Sequence, residues 1–181
     1  MPEMPEVESL RRFLAQRVIG RAITRIDIVA INALKTFDPS PEALYGLSVR
    51  AVGRHGKFLD IDAGQARLVF HLARAGWLRW SDDLPAIPPR PGKGPLAARI
   101  HLDDGSGFDL TEAGTQKRLA IHVVSDPQQV GGIRTLGPGP DRGLLRARRA
   151  ARRPRFGGPG ASQGGASRPA CAGGHRQRLL R

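Results

Sequence analysis

The chain opens Met1-Pro2-Glu3-Met4-Pro5-Glu6, and Pro2 and Glu3 are the first residues whose types could do chemistry. Proline at position 2 is small enough for the initiator methionine to be removed, which would leave a secondary amine at the terminus. A free α-amino group titrates near ~7.7–8.0, against ~10.4 for lysine, so a useful fraction is neutral and nucleophilic at cellular pH. A proline amine is more basic than that average, and its surroundings would have to help. Amines form Schiff bases with aldehyde-like carbons. On a sugar C1′ a secondary amine gives a cationic iminium, which drives elimination of the neighbouring phosphate. Glu3 stands beside the amine as a proton shuttle. Alone, a Met-Pro-Glu start arises by chance often enough to decide nothing.

The elements that must position these residues are legible as patterns. Residues 5–19 predict an amphipathic helix. Val7, Leu10, Phe13, Leu14 and Val18 fall at helical spacing, Pro5 suits the first turn, and Gly20 can stop it. Strands are expected over 22–30, 47–52, 57–63, 66–72, 77–80, 96–102, 107–110 and 119–124, with a hairpin turn in Asp103–Gly107, which contains Asp-Gly and Ser-Gly. Short strands with polar turns predict a sandwich or barrel, so the fold class is mostly β with an N-terminal helix. Residues 85–95 hold five prolines and read as a surface loop, and 127–136 as a short helix.

Charge divides the chain. The 181 residues carry a net +13, yet residues 1–140 hold 18 Lys/Arg against 15 Asp/Glu, while 141–181 hold 11 Arg against one Asp. The whole-chain charge therefore says little about the folded part. Arg, Gly, Ala and Pro make up 29 of the last 41 residues. Such a segment buries too little apolar surface to offset its ordering entropy, and disorder is expected there. The expected organisation is a domain over 1–140 and a basic tail over 141–181. A single cysteine, Cys171, leaves no intramolecular disulfide and no Cys-rich zinc site within this sequence. No apolar run approaches the ~20 residues of a membrane helix, and the opening has no signal-peptide pattern. A cytoplasmic monomer with no membrane partner is expected.

Three stretches together resemble a known family. Met1-Pro2-Glu3-Met4-Pro5-Glu6-Val7-Glu8 resembles the start of formamidopyrimidine-DNA glycosylases, the family that includes endonuclease VIII, with Met4 where leucine is usual. Gly53-Arg54-His55-Gly56-Lys57-Phe58-Leu59 resembles the family's lysine-bearing strand. His71-Leu72-Ala73-Arg74-Ala75-Gly76 resembles its His-Leu-Gly-Met-Ser-Gly loop. The resemblance spans about residues 1–140. It implies a two-layer β-sandwich catalytic domain of a bifunctional base-excision-repair glycosylase and abasic-site lyase, acting on damaged double-stranded DNA. Carried over, Pro2 is the Schiff-base nucleophile, Glu3 the general acid/base, and Lys57 a phosphate ligand that assists elimination. Glu6 either caps the helix or orients the amine.

His71 matches a family position near the DNA backbone, and a structural histidine is the alternative. Arg74 stands where the family's methionine wedge fills the vacated base stack. Lys117 and Arg118 stand near its Thr-Asp-Pro-Arg-Arg-Phe-Gly motif, here Thr111-Glu112-Ala113-Gly114-Thr115-Gln116-Lys117-Arg118-Leu119. Arg118 and Leu119 match the Arg-Phe pair best, against the alternative of a basic turn followed by a core leucine.

The family's second half, a helix–two-turn–helix module and a four-cysteine zinc finger, has no counterpart in 141–181, so no cofactor is expected in this chain. Residues 175–181 can be encoded so that a one-nucleotide shift reads Ile-Gly-Asn-Ala-Tyr-Ser, the family's phosphate-binding loop, which predicts an out-of-frame tail. The alternatives are a non-catalytic nucleic-acid-binding remnant and, further off, an unfolded product.

Overall fold

The computed structural model describes residues 3–90, 94–114 and 116–136. Pro2 and the basic segment 141–181 lie outside the described residues.

Helix α1 (Met4–Val18) starts after Glu3, with Pro5 in its first turn. The Glu3 backbone amide donates to Glu6 Oε2 at 2.8 Å, one half of a capping box. Val7, Leu14 and Val18 are buried, and Leu10 and Phe13 pack beside them. This is the stripe the spacing predicts. Gly20, at φ 86°, turns the chain out of the helix.

Eight strands follow: β1 (Ile23–Ile28), β2 (Ala51–His55), β3 (Phe58–Asp62), β4 (Arg67–His71), β5 (Gly76–Ser81), β6 (Leu96–Leu102), β7 (Gly107–Glu112) and β8 (Ala120–Val124). They form two four-stranded antiparallel sheets, ordered β1-β6-β7-β5 and β2-β3-β4-β8. The protein is mostly β with an N-terminal helix, as the sequence indicates. Alternate residues such as Leu59, Ile61, Leu68 and Phe70 of one sheet meet Ile100, Phe108 and Leu110 of the other in one core. Phe13 meets Trp80 edge-on at 6.1 Å, and the Arg17 guanidinium lies 4.1 Å over the Phe13 ring. These contacts tie the far half of α1 to the first sheet.

Three expectations need correction. The second strand is Ala51–His55, not 47–52. Residues 47–49 direct their backbone bonds to the end of α1 and the start of β1: Ile23 N–H to Leu47 O at 3.1 Å, Gly20 N–H to Val49 O and Val49 N–H to Arg21 O, both at 2.8 Å. Lys57 accordingly sits in the β2–β3 turn and not on a strand. The helix read over 127–136 is a 3₁₀ turn (Pro127–Gln129) followed by α2 (Gly131–Arg134). Val130 and Ile133 of this segment pack with Val69, Val124 and Phe58, covering the outer face of the second sheet.

Strand register gathers the loops of interest at one end. Phe58 pairs with His71, and His71 with Ala120. Gly76 pairs with Glu112. The β2–β3 turn, the β4–β5 crossover and the β7–β8 crossover therefore share an end of the sandwich. Gly76 is required there: a Cβ on it would meet Leu72 O at 1.9 Å.

Candidate functional site

At this end the start of α1 meets the β2–β3 turn. Lys57 Nζ donates to Glu3 Oε2 at 3.3 Å. The Glu3 side chain is 67% exposed and the Lys57 side chain 26%. The carboxylate is thus open to an approaching molecule, while the lysine is partly sheltered. Glu6 makes the capping contact with Glu3 described above. Pro2, the residue before Glu3, is outside the described residues.

The hairpin bearing Lys57 is braced by a buried charge. Asp60 is fully buried. It accepts from His55 Nε2 at 2.9 Å and from Arg67 Nε and Nη2 at 3.0 and 2.8 Å. Burial opposes ionisation of Asp60, but the bonds from His55 and Arg67 outweigh it and hold the carboxyl below its ordinary range. The network spans β2, β3 and β4, so Lys57 rises from a fixed base.

His71 ends β4 beside this hairpin. Its ring lies 4.8 Å from that of Phe58. The Ala73 amide donates to His71 Nδ1 at 3.1 Å, so that nitrogen is the acceptor and the neutral ring carries its proton on Nε2. Burial, with the Lys57 charge second, lowers the imidazole's affinity for a proton. His71 thus presents a neutral N–H donor, suited to a phosphate oxygen. Ala73 makes the contact at φ 55°, a left-handed conformation. The family pattern has glycine at this place. Arg74 follows and is exposed.

The β7–β8 crossover carries Lys117 and Arg118, both exposed. Its anchor is Glu112, only 2% exposed, which the sequence reading passed over. The Glu112 carboxylate accepts from the Arg118 amide at 2.8 and 2.9 Å and from the Leu119 amide at 3.1 Å to each oxygen. Lys117 Nζ donates to the Glu112 carbonyl. The available signal was Thr111-Glu112, standing where the motif has Thr-Asp. Leu119 is 1% exposed and belongs to the core. Its side chain is packed inward, in keeping with the core leucine that the sequence left open as the alternative. A cavity of about 530 Å³ at this end borders Glu112, Lys117 and Asn32, not Glu3 or Lys57.

Among the described residues no group of three or more His, Cys, Asp or Glu side chains could hold a metal ion, and no helix is long and apolar enough to cross a membrane. An exposed carboxylate against a lysine, a neutral imidazole donor and two cation-bearing crossovers share one end of a two-sheet sandwich. Groups of these kinds can together bind an anion and exchange a proton. The profile of the formamidopyrimidine-DNA glycosylase N-terminal domain matches residues 1–119, and the chain belongs to this family. It is 36% identical to a formamidopyrimidine-DNA glycosylase of Symbiobacterium thermophilum over 145 residues, covering 77% of this chain and 45% of that protein. It is 39% identical to one of Variovorax paradoxus over 139 residues, covering 74% and 42%. The fold matches the Lactococcus lactis Fpg (MutM) protein in complex with a FAPY-dG containing DNA, at a TM-score of 0.63 and 26% identity, over 81% of this chain and 56% of that one. The chain thus spans less than half the length of these two curated relatives.

Proposed function

We propose that this chain carries the catalytic half of a base-excision-repair glycosylase and abasic-site lyase acting on damaged double-stranded DNA. The contact between Glu3 and Lys57 is the observation that carries the reading. It joins the residue next to the terminal amine with a phosphate-binding cation from a turn 54 positions away.

In this reading the Pro2 nitrogen, freed by removal of Met1, attacks the sugar C1′ and the damaged base leaves. Glu3 gives a proton to the ring oxygen, the ring opens, and an iminium joins nitrogen to C1′. Water takes up a C2′ proton and the C–H electrons move to the iminium to give an enamine. The nitrogen lone pair then returns, reforming the iminium in conjugation with a new C2′–C3′ double bond as the C3′–O bond breaks and the 3′ phosphate leaves with its electron pair. Lys57 holds the phosphate beside the lesion, and the Nε2–H of His71 adds a donor. Arg74 and Arg118 face the duplex and occupy the gap left by the extruded base, and Lys117 adds positive charge beside them. Each group named belongs to the chain itself, so the reading calls for no cofactor.

Affinity for DNA depends on the number of phosphates neutralised, so retention is expected to fall steeply as salt is added. Cleavage of duplex with a preformed abasic site should exceed excision of a damaged base from intact duplex. Strand scission of abasic duplex at low salt tests this. Scission that Glu3→Gln and Lys57→Gln abolish supports it. Binding without scission favours the non-catalytic reading instead.

A further inference from the structure

Arg54 lies between the helix that begins at Glu3 and the turn that holds Lys57. Its Nε donates to Glu8 Oε2 at 3.1 Å. Its Nη1 donates to the Gly56 carbonyl at 2.8 Å and approaches Met4 Sδ at 3.4 Å. One guanidinium therefore grips the first turns of α1 with one edge and the β2–β3 turn with the other.

Both ends of the grip are fixed. Glu8 also accepts from Arg11 at 2.8 Å and Arg12 at 3.1 Å. Those bonds, with that of Arg54, bring its carboxyl down to about 2, so it is ionised wherever the protein is folded and working. On the other side, Gly56 adopts φ 58°, and a Cβ there would stand 2.9 Å from Leu136 Cδ1. The turn is thus packed from behind. The Glu3–Lys57 contact cannot hold this geometry by itself, because an exposed ion pair contributes little.

We propose that Arg54 is a positioning residue that sets the separation of Glu3 and Lys57 by locking the start of α1 to the β2–β3 turn. This role runs through its two protein partners and needs no contact with substrate. The inference rests on the reading of Glu3 and Lys57 as the working pair. The planar fork matters: a lysine can serve Glu8 or the Gly56 carbonyl, but not both with fixed geometry. Small misplacements of reacting groups cost rate far more than they cost affinity.

The test uses the full chain with Arg54→Gln, Arg54→Lys and Glu8→Gln. Borohydride-trapped adduct formation on abasic-site duplex is timed at saturating protein. Binding is measured on duplex with an unreactive tetrahydrofuran site. Spectra follow the Lys57 amide and the methyl of Met4, one of only two methionines in the chain. Arg54→Gln should slow trapping about tenfold with binding unchanged, and should move both signals. Arg54→Lys should recover part of the rate. Glu8→Gln should add little when Arg54 is already Gln. Trapping at the native rate, a rate lost only in step with binding, or a Lys57 signal left in place overturns the proposal. Should Arg54→Gln fail to fold, Arg54→Lys and Glu8→Gln, each leaving one end of the grip, decide by the same measures. If the native chain traps nothing, the catalytic reading falls, and the two signals still decide whether Arg54 sets the turn.

Discussion

Lys57 Nζ stands 3.3 Å from Glu3 Oε2, although 54 residues separate them. Two-thirds of the Glu3 side chain is open to solvent, so this pair contributes at most about 1 kcal/mol to stability. Its substitution should therefore separate folding from chemistry. Glu3→Gln is expected to leave the melting temperature within a few degrees while lowering strand scission roughly 10²–10⁴-fold, the usual range for a lost general acid/base. Calorimetry and single-turnover scission check the two halves. Equal losses in both would assign Glu3 to the scaffold.

Glu112 should behave in the opposite way. Its carboxylate serves two consecutive amides, those of Arg118 and Leu119. Glu112→Ala leaves the buried Leu119 amide and the partly buried Arg118 amide without their acceptor and is expected to cost roughly 1–4 kcal/mol, at ~1–3 kcal/mol for the buried group and less for the other. Denaturant unfolding measures this. Glu112→Gln keeps an acceptor and should fall between the two. A loss below 1 kcal/mol in the alanine variant, on that same scale, would mean that water satisfies the amides instead.

The β4–β5 crossover offers a pair of substitutions with opposite signs. Ala73 is held at φ 55°, where a Cβ is strained by about 1–2 kcal/mol. Ala73→Gly should raise stability by up to about 1 kcal/mol after the entropy of the freer unfolded glycine is subtracted. Gly76→Ala should lower it by roughly 3 kcal/mol or more, because the new Cβ would overlap Leu72 O at 1.9 Å. Thermal melts of the two variants suffice. A destabilising Ala73→Gly would mean that the left-handed turn carries no strain.

Acid should weaken the fold in two stages. His71 and His122 both bind protons less readily than the ordinary 6.5, mainly through burial, with the Lys57 and Lys35 charges second. The unfolded chain then takes up protons that the folded one refuses. Their contribution is complete above pH 6.5 and declines as pH falls through the lower folded values. Glu8 and Asp60 titrate below their ordinary 4.5 and 3.8, and their contribution is complete above those values and lost below them. Melting temperature against pH should show a first decline below 6.5 and a second below 4.5. His71→Asn, which keeps an acceptor for the Ala73 amide, should flatten the first. An unchanged slope in that variant would remove His71 from the balance.

How far the sequence leads depends on the distance over which an interaction acts. The α1 stripe and the turn within 103–107 are local, and both occur where their spacing places them. The second strand was misplaced because residues 47–49 alternate well enough for a strand but spend their hydrogen bonds on Arg21 and Ile23. No local pattern records that choice. Leu119 was ambiguous for a related reason: core and wedge demand the same apolar side chain, and only the assembled core, in which it is 1% exposed, distinguishes them. Motif likeness brought out Glu3, Lys57 and His71. Glu112 and Arg54 act through backbone groups and neighbouring elements, and their importance shows only once the sheets are assembled.

The account stands or falls on the terminal nitrogen. Borohydride trapping on abasic-site duplex, followed by peptide mass mapping, identifies the atom that bonds to the sugar. The expected result is an adduct on the peptide beginning at Pro2, with Met1 removed. An adduct on Lys57 or another lysine, or an active chain that retains Met1, would contradict it.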